Sequence, residues 1–155
     1  MTVDALIESI DARARQLLLE VAVHEAGHSV ISRLAGLPSG KATLRDHDGN
    51  GRSYSKNDGS LKEVLVALAG RAATEVILGY ASDPGCSVDD DKATRLVEAN
   101  GFGWDKCFAF DVRQCLLADA HALIRRHRGK VAVVALGLLA KGTLSGPEID
   151  ALMES

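Results

Sequence analysis

Aromatic residues are scarce in this chain. Three Phe, two Tyr and one Trp make up 4% of 155 residues. Ala, Leu and Val supply most of the apolar 46% instead. That balance favours packed helices over a sandwich of β-branched and aromatic strands. Cysteine is also sparse and odd in number: Cys86, Cys107 and Cys115, with no Cys-x-x-Cys pair. This excludes a complete disulfide framework and a thiolate metal cluster, and it fits reduced thiols in the cytoplasm. Neither sign of charge dominates. Eighteen basic residues against 21 acidic ones leave a net charge of -3, too little for a strong field toward nucleic acid or anionic lipid. Long apolar runs are missing too. The longest, residues 131–140, is half of the roughly 20 residues that a bilayer span needs. The first eight residues carry acids rather than a basic start, so no signal peptide is expected. Nor is there a G-x-x-x-x-G-K-[ST] string, so the chain has no loop of that kind to cradle phosphates.

What is present reads as one domain over residues 1–155, an ordinary size for a single core. The fold class is mostly α with a small β-sheet or hairpin. Leu17, Leu18, Val21, Ala22 and Ile31 recur at helical steps and predict a helix over residues 11–34, stopped by Gly36 and Pro38. Residues 1–10 form either a separate leading helix or a frayed arm. Residues 41–45 and 52–55 read as short strands around the turn-forming stretch 46–51. A second helix is predicted over 61–78, ending at Gly79, and residues 81–86 form a loop through Pro84-Gly85. Ser87 is read as the N-cap of a third helix, with Asp90 as its capping-box acid and an end near Asn100. Gly101, Gly103 and Trp104 make a connector. Further helices follow over 112–127 and 130–141, then a last short one opened by Ser145-Gly146-Pro147-Glu148.

The sharpest local signal is His24-Glu25-Ala26-Gly27-His28, an H-E-x-x-H string inside a predicted helix. One turn of helix puts the two imidazoles on one face, where they can share a Zn²⁺ ion. Glu25 is rotated by roughly 100° from His24, so it can reach water at the metal without ligating. Gly27 costs about 1 kcal/mol in a helix relative to Ala, and its use is read as close approach of other backbone. A catalytic zinc site needs a third protein ligand and an open position. Spacing alone leaves Glu63, Glu75, Asp89, Asp90 and Asp91 as candidates.

Three strings in order, HEAGHSVISRLAG, ALAGRAATEVILG and SVDDDKATRLV, resemble the peptidase domain of the FtsH family of ATP-dependent zinc metalloproteases. The closing stretch from Ala122 to Leu152, with its T-L-x-G-x-E-I ending, resembles that family's last helices. The likeness covers nearly the whole chain. It implies a zincin-like fold of the FtsH type, His24 and His28 as zinc ligands, Glu25 as the catalytic glutamate and Asp89 as the third ligand. It also matches Glu75 to the second acid of the family's Ala-Glu-Glu stretch, read here as a partner for a ligand imidazole. Departures are Ala69 for the first Gly of Gly-Gly-Arg, Thr74 for the first of those acids, and a short link between the first two helices. The family's membrane anchor and ATPase module have no counterpart in these residues.

The function expected is a cytoplasmic zinc metalloendopeptidase acting on unfolded or flexible polypeptide. Strands 41–45 or 52–55 would hold the substrate by edge pairing. Nucleic acid is not an expected partner. A separate ATPase partner and homo-oligomers are compatible with the chain. Two alternatives stay open: a zinc-binding regulator or adaptor without turnover, and a regulatory metallopeptidase of narrow specificity. Asp46-x-Asp48-x-Asn50-Gly51 matches the start of a calcium loop, but Asn57 stands where such loops place a Glu, so a plain turn is expected. His47 is read as a loop residue. His121 and His127, near Arg125, Arg126 and Arg128, are read as a basic helix end facing water. Cys86 is assigned no role.

Overall fold

The computed structural model describes residues 2–37, 39–45, 50–81 and 85–155. The chain runs as helix α1 (Val3–Leu34), strands β1 (Ser39–Thr43) and β2 (Arg52–Ser55), helix α2 (Leu61–Leu78) and helix α3 (Gly85–Val97). A π-helical turn (Glu98–Phe102) leads to α4 (Lys106–Arg126), α5 (Arg128–Lys141), strand β3 (Thr143–Ser145) and α6 (Gly146–Glu154). The architecture is mostly helical with a small antiparallel sheet, as expected. No helix among the described residues is long and apolar enough to cross a membrane.

Local chemistry explains most of the helix ends. The Oγ1 of Thr2 accepts the amide of Ala5 at the start of α1, and Gly36 takes φ 76° just past its end. Ser60 caps α2 and Gly79 ends it at φ 85°. Ser145 and Glu148 form a complete capping box at α6. Residues 1–10 are neither a separate helix nor a frayed arm where described, because α1 continues through them without a break. Helix α4 starts earlier than residue 112, since Asp105 is the cap and accepts the Phe108 amide at 3.0 Å. Ser87 is not a cap. It lies inside α3, which starts at Gly85, and the carboxylate of Asp90 turns away toward other helices. Helix α3 passes after Val97 into the π-helical turn, whose backbone leaves helical values at Asn100 and Gly101, so the helical run breaks where expected, near Asn100.

The aromatic-poor composition acts at the crossing of α1 and α2. Gly27 of α1 meets Ala69 and Ala73 of α2 there, all of them buried. A Cβ at Gly27 would sit 2.5 Å from the carbonyl oxygen of Ala69 and 2.6 Å from the Cβ of Ala73. Small residues thus let the two backbones meet, and the larger Ile31, Leu68, Ile124, Leu138 and Leu144 fill the core around them. Helix α2 also packs against α3 and α4, while α5 covers another side of α1.

The sheet order is β2-β1-β3, antiparallel throughout, with Ala42 opposite both Ser53 and Leu144. β3 was not foreseen. Its three residues are too few to show a period, and it is held by pairing to a strand about 100 positions away. The position of β1 corrects one expectation. As the central strand it has both edges taken, so it offers none to a substrate. The hairpin tip, including His47 and the calcium-like Asp46 and Asp48, lies outside the described residues, as does Pro84. Of the cysteines, Cys86 is buried and Cys107 and Cys115 are exposed, and none of the three forms a disulfide.

Candidate metal centre

Helix α1 supplies the first part of the site. His24 and His28 stack one turn apart in its buried half, with ring centroids 4.7 Å apart and planes at 79°. Helix α3 supplies the other part. Asp89 Oδ2 lies 2.9 Å from His24 Nε2 and 3.0 Å from His28 Nε2, and the two Nε2 atoms are 3.0 Å from each other. The side chains are only 10%, 12% and 21% exposed. Among the described residues, these three make the cluster with metal-binding composition.

Backbone geometry from α2 completes the arrangement. His28 Nδ1 donates to the carbonyl of Val66 at 2.7 Å, so Nε2 is the nitrogen that meets His24 and Asp89 and the one that offers a lone pair once its proton is given up. One helical turn on, Gly70 makes the space. A Cβ there would lie 2.5 Å from His24 Nε2 and 2.6 Å from His28 Nε2. Gly27 does admit other backbone, that of Ala69 at the helix crossing, while the room beside the two imidazole nitrogens is made by Gly70. The signal for Gly70 was available: it too is a glycine inside a helix, with the same cost against Ala. The Val66 carbonyl had no signal, because every residue has one.

The electrostatics call for positive charge at this point. Burial disfavours a charged His28, yet the charge and hydrogen bond of Asp89, aided by Glu25, raise its pKa to about 9. Burial also works to raise Asp89, but the His28 charge and hydrogen bonds from both imidazoles hold it well below the usual carboxylate range. Three electron-rich atoms converge where either a proton or a metal ion can satisfy them. A tetrahedral zinc ion with N and O donors at about 2.0–2.2 Å sets them roughly 3.3 Å apart, so the three need to spread by only a few tenths of an ångström. The donor set of two imidazoles and one carboxylate therefore fits such an ion.

Glu25 is 6% exposed and points to the β2 side of the helix. Gly51 lets the chain pass close by: a Cβ there would touch Val21, and Glu25 Oε1 would be 3.1 Å from it. The Ser29 hydroxyl reaches that of Ser53 at 3.0 Å and ties β2 to α1 one turn beyond Glu25. Burial raises the pKa of Glu25, while both imidazoles and Arg52 oppose that shift. A carboxylate poised in this way can take and return a proton.

The other carboxylate candidates are engaged elsewhere. Glu63 is buried against Lys92 (2.9 Å) and the Gly59 amide (2.8 Å). Asp90 pairs with Arg71 and Arg113, and Asp91 is exposed. Glu75 does not support a ligand imidazole. Its carboxylate is held by Arg71 Nε (2.9 Å) and His121 Nε2 (2.5 Å), which lowers its pKa even though burial works to raise it. His121 is accordingly no water-facing residue, but part of a cluster between α2 and α4.

No protein-family model matches the chain. The chain is 27% identical, over 173 aligned positions, to the protein named ATP-dependent zinc metalloprotease FtsH 1 of Symbiobacterium thermophilum. That alignment covers 88% of this chain and 29% of the relative, so the chain spans less than a third of that protein's length. The similarity is distant, and it is to a protein named for zinc and proteolysis.

Proposed function

We propose that the chain is a zinc metalloendopeptidase, a single zincin-like peptidase domain that hydrolyses unfolded or flexible polypeptide. The observation that carries this reading is the convergence of His24 Nε2, His28 Nε2 and Asp89 Oδ2 within 2.9–3.0 Å, one residue from a buried carboxylate on the same helix. The distant similarity to a protein named as a zinc metalloprotease supports it.

In this reading His24, His28 and Asp89 hold the ion. Zinc bound there supplies Lewis acidity, polarising a carbonyl oxygen and making water acidic near neutral pH. Val66 keeps the His28 proton on Nδ1, so that Nε2 stays a ligand. Glu25 takes the proton of the attacking water and passes it to the leaving amine. Its raised pKa suits both halves of that transfer. Strand β2, the outer strand beside α1, is the candidate edge for pairing with an extended substrate, a role that the central β1 has no free edge to fill. Backbone pairing reads little of the side chains, which fits a broad range of flexible substrates.

The test is zinc content of the purified protein together with cleavage of unfolded casein. The expected result is one zinc per chain and many casein products. His28→Ala should lose the metal, and Asp89→Ala should weaken binding about 10-fold or more. Zinc without turnover on any unfolded chain would turn the reading into the regulator or adaptor. Cleavage of a single regulatory protein at one site would turn it into the narrow-specificity enzyme. With no loop of the G-x-x-x-x-G-K-[ST] kind, this chain alone should spare stable domains with or without ATP, because unfolding them costs about 5–15 kcal/mol. Equal cleavage of a stable domain and its unfolded variant would refute that limit.

A further inference from the structure

The two imidazoles share one helix, so α1 fixes their spacing. The third donor comes from α3, and its place depends on how α3 docks. Asp89 lies in the opening turns of that helix, and the next residue, Asp90, ties this end of α3 to α2 and α4, while Lys92 pairs with Glu63 further along. Asp90 Oδ2 accepts from Arg71 Nη1 at 2.7 Å, and Arg113 Nη1 approaches its Oδ1 at 3.3 Å. Arg71 is itself held by Glu75, which His121 holds in turn. The guanidinium thus spans two carboxylates, Glu75 through Nε and Asp90 through Nη1. Arg71 also directly follows Gly70, whose missing side chain makes room for the ligand nitrogens. One segment of α2 therefore orients His28 through Val66, clears the ligand space at Gly70 and grips α3 at Arg71.

We infer that Arg71 is a positioning residue for the metal centre: by fixing Asp90 it sets Asp89 against His24 and His28. The inference rests on the metal-centre reading above. A planar fork that meets two carboxylates at once has no equivalent in lysine, whose ammonium is a single point of charge. The ion pairs are partly exposed, with Arg71 32% and Asp90 23% exposed, so they add little to global stability. Their effect is expected where orientation matters, in affinity for the metal. Groups that orient ligands from behind are typically worth about 10–100-fold in metal affinity.

The experiment measures zinc affinity by competition with a chromophoric chelator, and the visible spectrum of the cobalt-loaded protein, across a set of variants. Arg71→Ala is expected to bind zinc about 10–100-fold more weakly and to change the cobalt spectrum, while helix content and melting temperature stay close to wild type. Arg71→Lys should recover only part of the loss. Asp90→Asn takes the charge out of the same grip from the α3 side, together with the Arg113 pair, in a nearly isosteric way. It should reproduce the loss even if Arg71→Ala folds poorly. On an Asp89→Ala background, Arg71→Ala should add nothing further, since it acts through Asp89. Wild-type affinity and spectrum in both Arg71→Ala and Asp90→Asn would overturn the inference alone. So would a full, additive loss on the Asp89→Ala background. A wild type that binds no zinc, or binding that survives His28→Ala, would overturn the metal-centre reading and this inference with it.

Discussion

Helix α1 has two halves with the same local geometry and opposite surroundings. From Thr2 to Arg15 every residue is exposed, including Val3 at 72%, Ile7 at 52% and Ile10 at 59%. From Ala22 to Gly27 every residue is buried, including the charged or polar His24 and Glu25. The difference lies in what covers the C-terminal half: α2 on one side, with Gly27 against Ala69, and α5 and the sheet on the others. Burial is what gives the second half its chemistry. The same carboxylate that would be an ordinary solvated acid in the first half is driven toward a higher pKa at Glu25. Apolar side chains alone do not mark a buried face, since Ile7 and Ile10 are as apolar as Val30 and Ile31.

The largest expected effect separates two glutamates of this one helix. Glu25→Gln should keep zinc and fold but lower turnover by about 10²–10⁴-fold, the usual worth of general acid–base catalysis. Glu8→Gln, in the exposed half, should turn over casein at the wild-type rate. Equal rates for both variants would remove Glu25 from the mechanism.

Metal binding should sharpen the contrast. Zinc that binds the folded state alone adds about 2.7 kcal/mol of stability at 100 times its dissociation constant. Hydrogen exchange should show the gain of protection in residues 20–34 and in α2 and α3. Residues 3–15 should exchange quickly whether or not zinc is present. Protection spread evenly along α1 would erase the distinction between its halves.

Packing gives a third test. Gly27→Ala puts a Cβ 2.5 Å from the Ala69 carbonyl oxygen, so α1 and α2 must part. Overpacking of this kind costs about 1–3 kcal/mol, read from the denaturation midpoint at unchanged slope. The smallest effect is expected from Ile10→Ala, which exchanges an exposed side chain for a better helix former and should stay within about 0.5 kcal/mol. A large loss there would mean that the exposed half is covered in solution.

Features made by neighbours along the chain could be read from the sequence. The span 61–78 of α2, its stop at Gly79, the Ser145–Glu148 cap and the helical phase of His24, Glu25 and His28 all follow from steps of one to four residues. Features made by chain crossing could not. Five carboxylates stood open as the third donor by spacing. Resemblance pointed to Asp89, and the docking of α3 brings Asp89 Oδ2 to both imidazoles while turning Asp90 toward Arg71. The assignment of Glu75 to a ligand imidazole failed for the same reason, because the face it shares with Arg71 looks toward His121. The Val66 carbonyl, the opening at Gly70, the strand β3 and the loss of both edges of β1 depend on contacts between segments far apart in sequence. A helix period says which side chains share a face. What that face meets depends on where other segments of the chain come to lie, and here only the tertiary structure set Gly70 and the Val66 carbonyl against the two histidines.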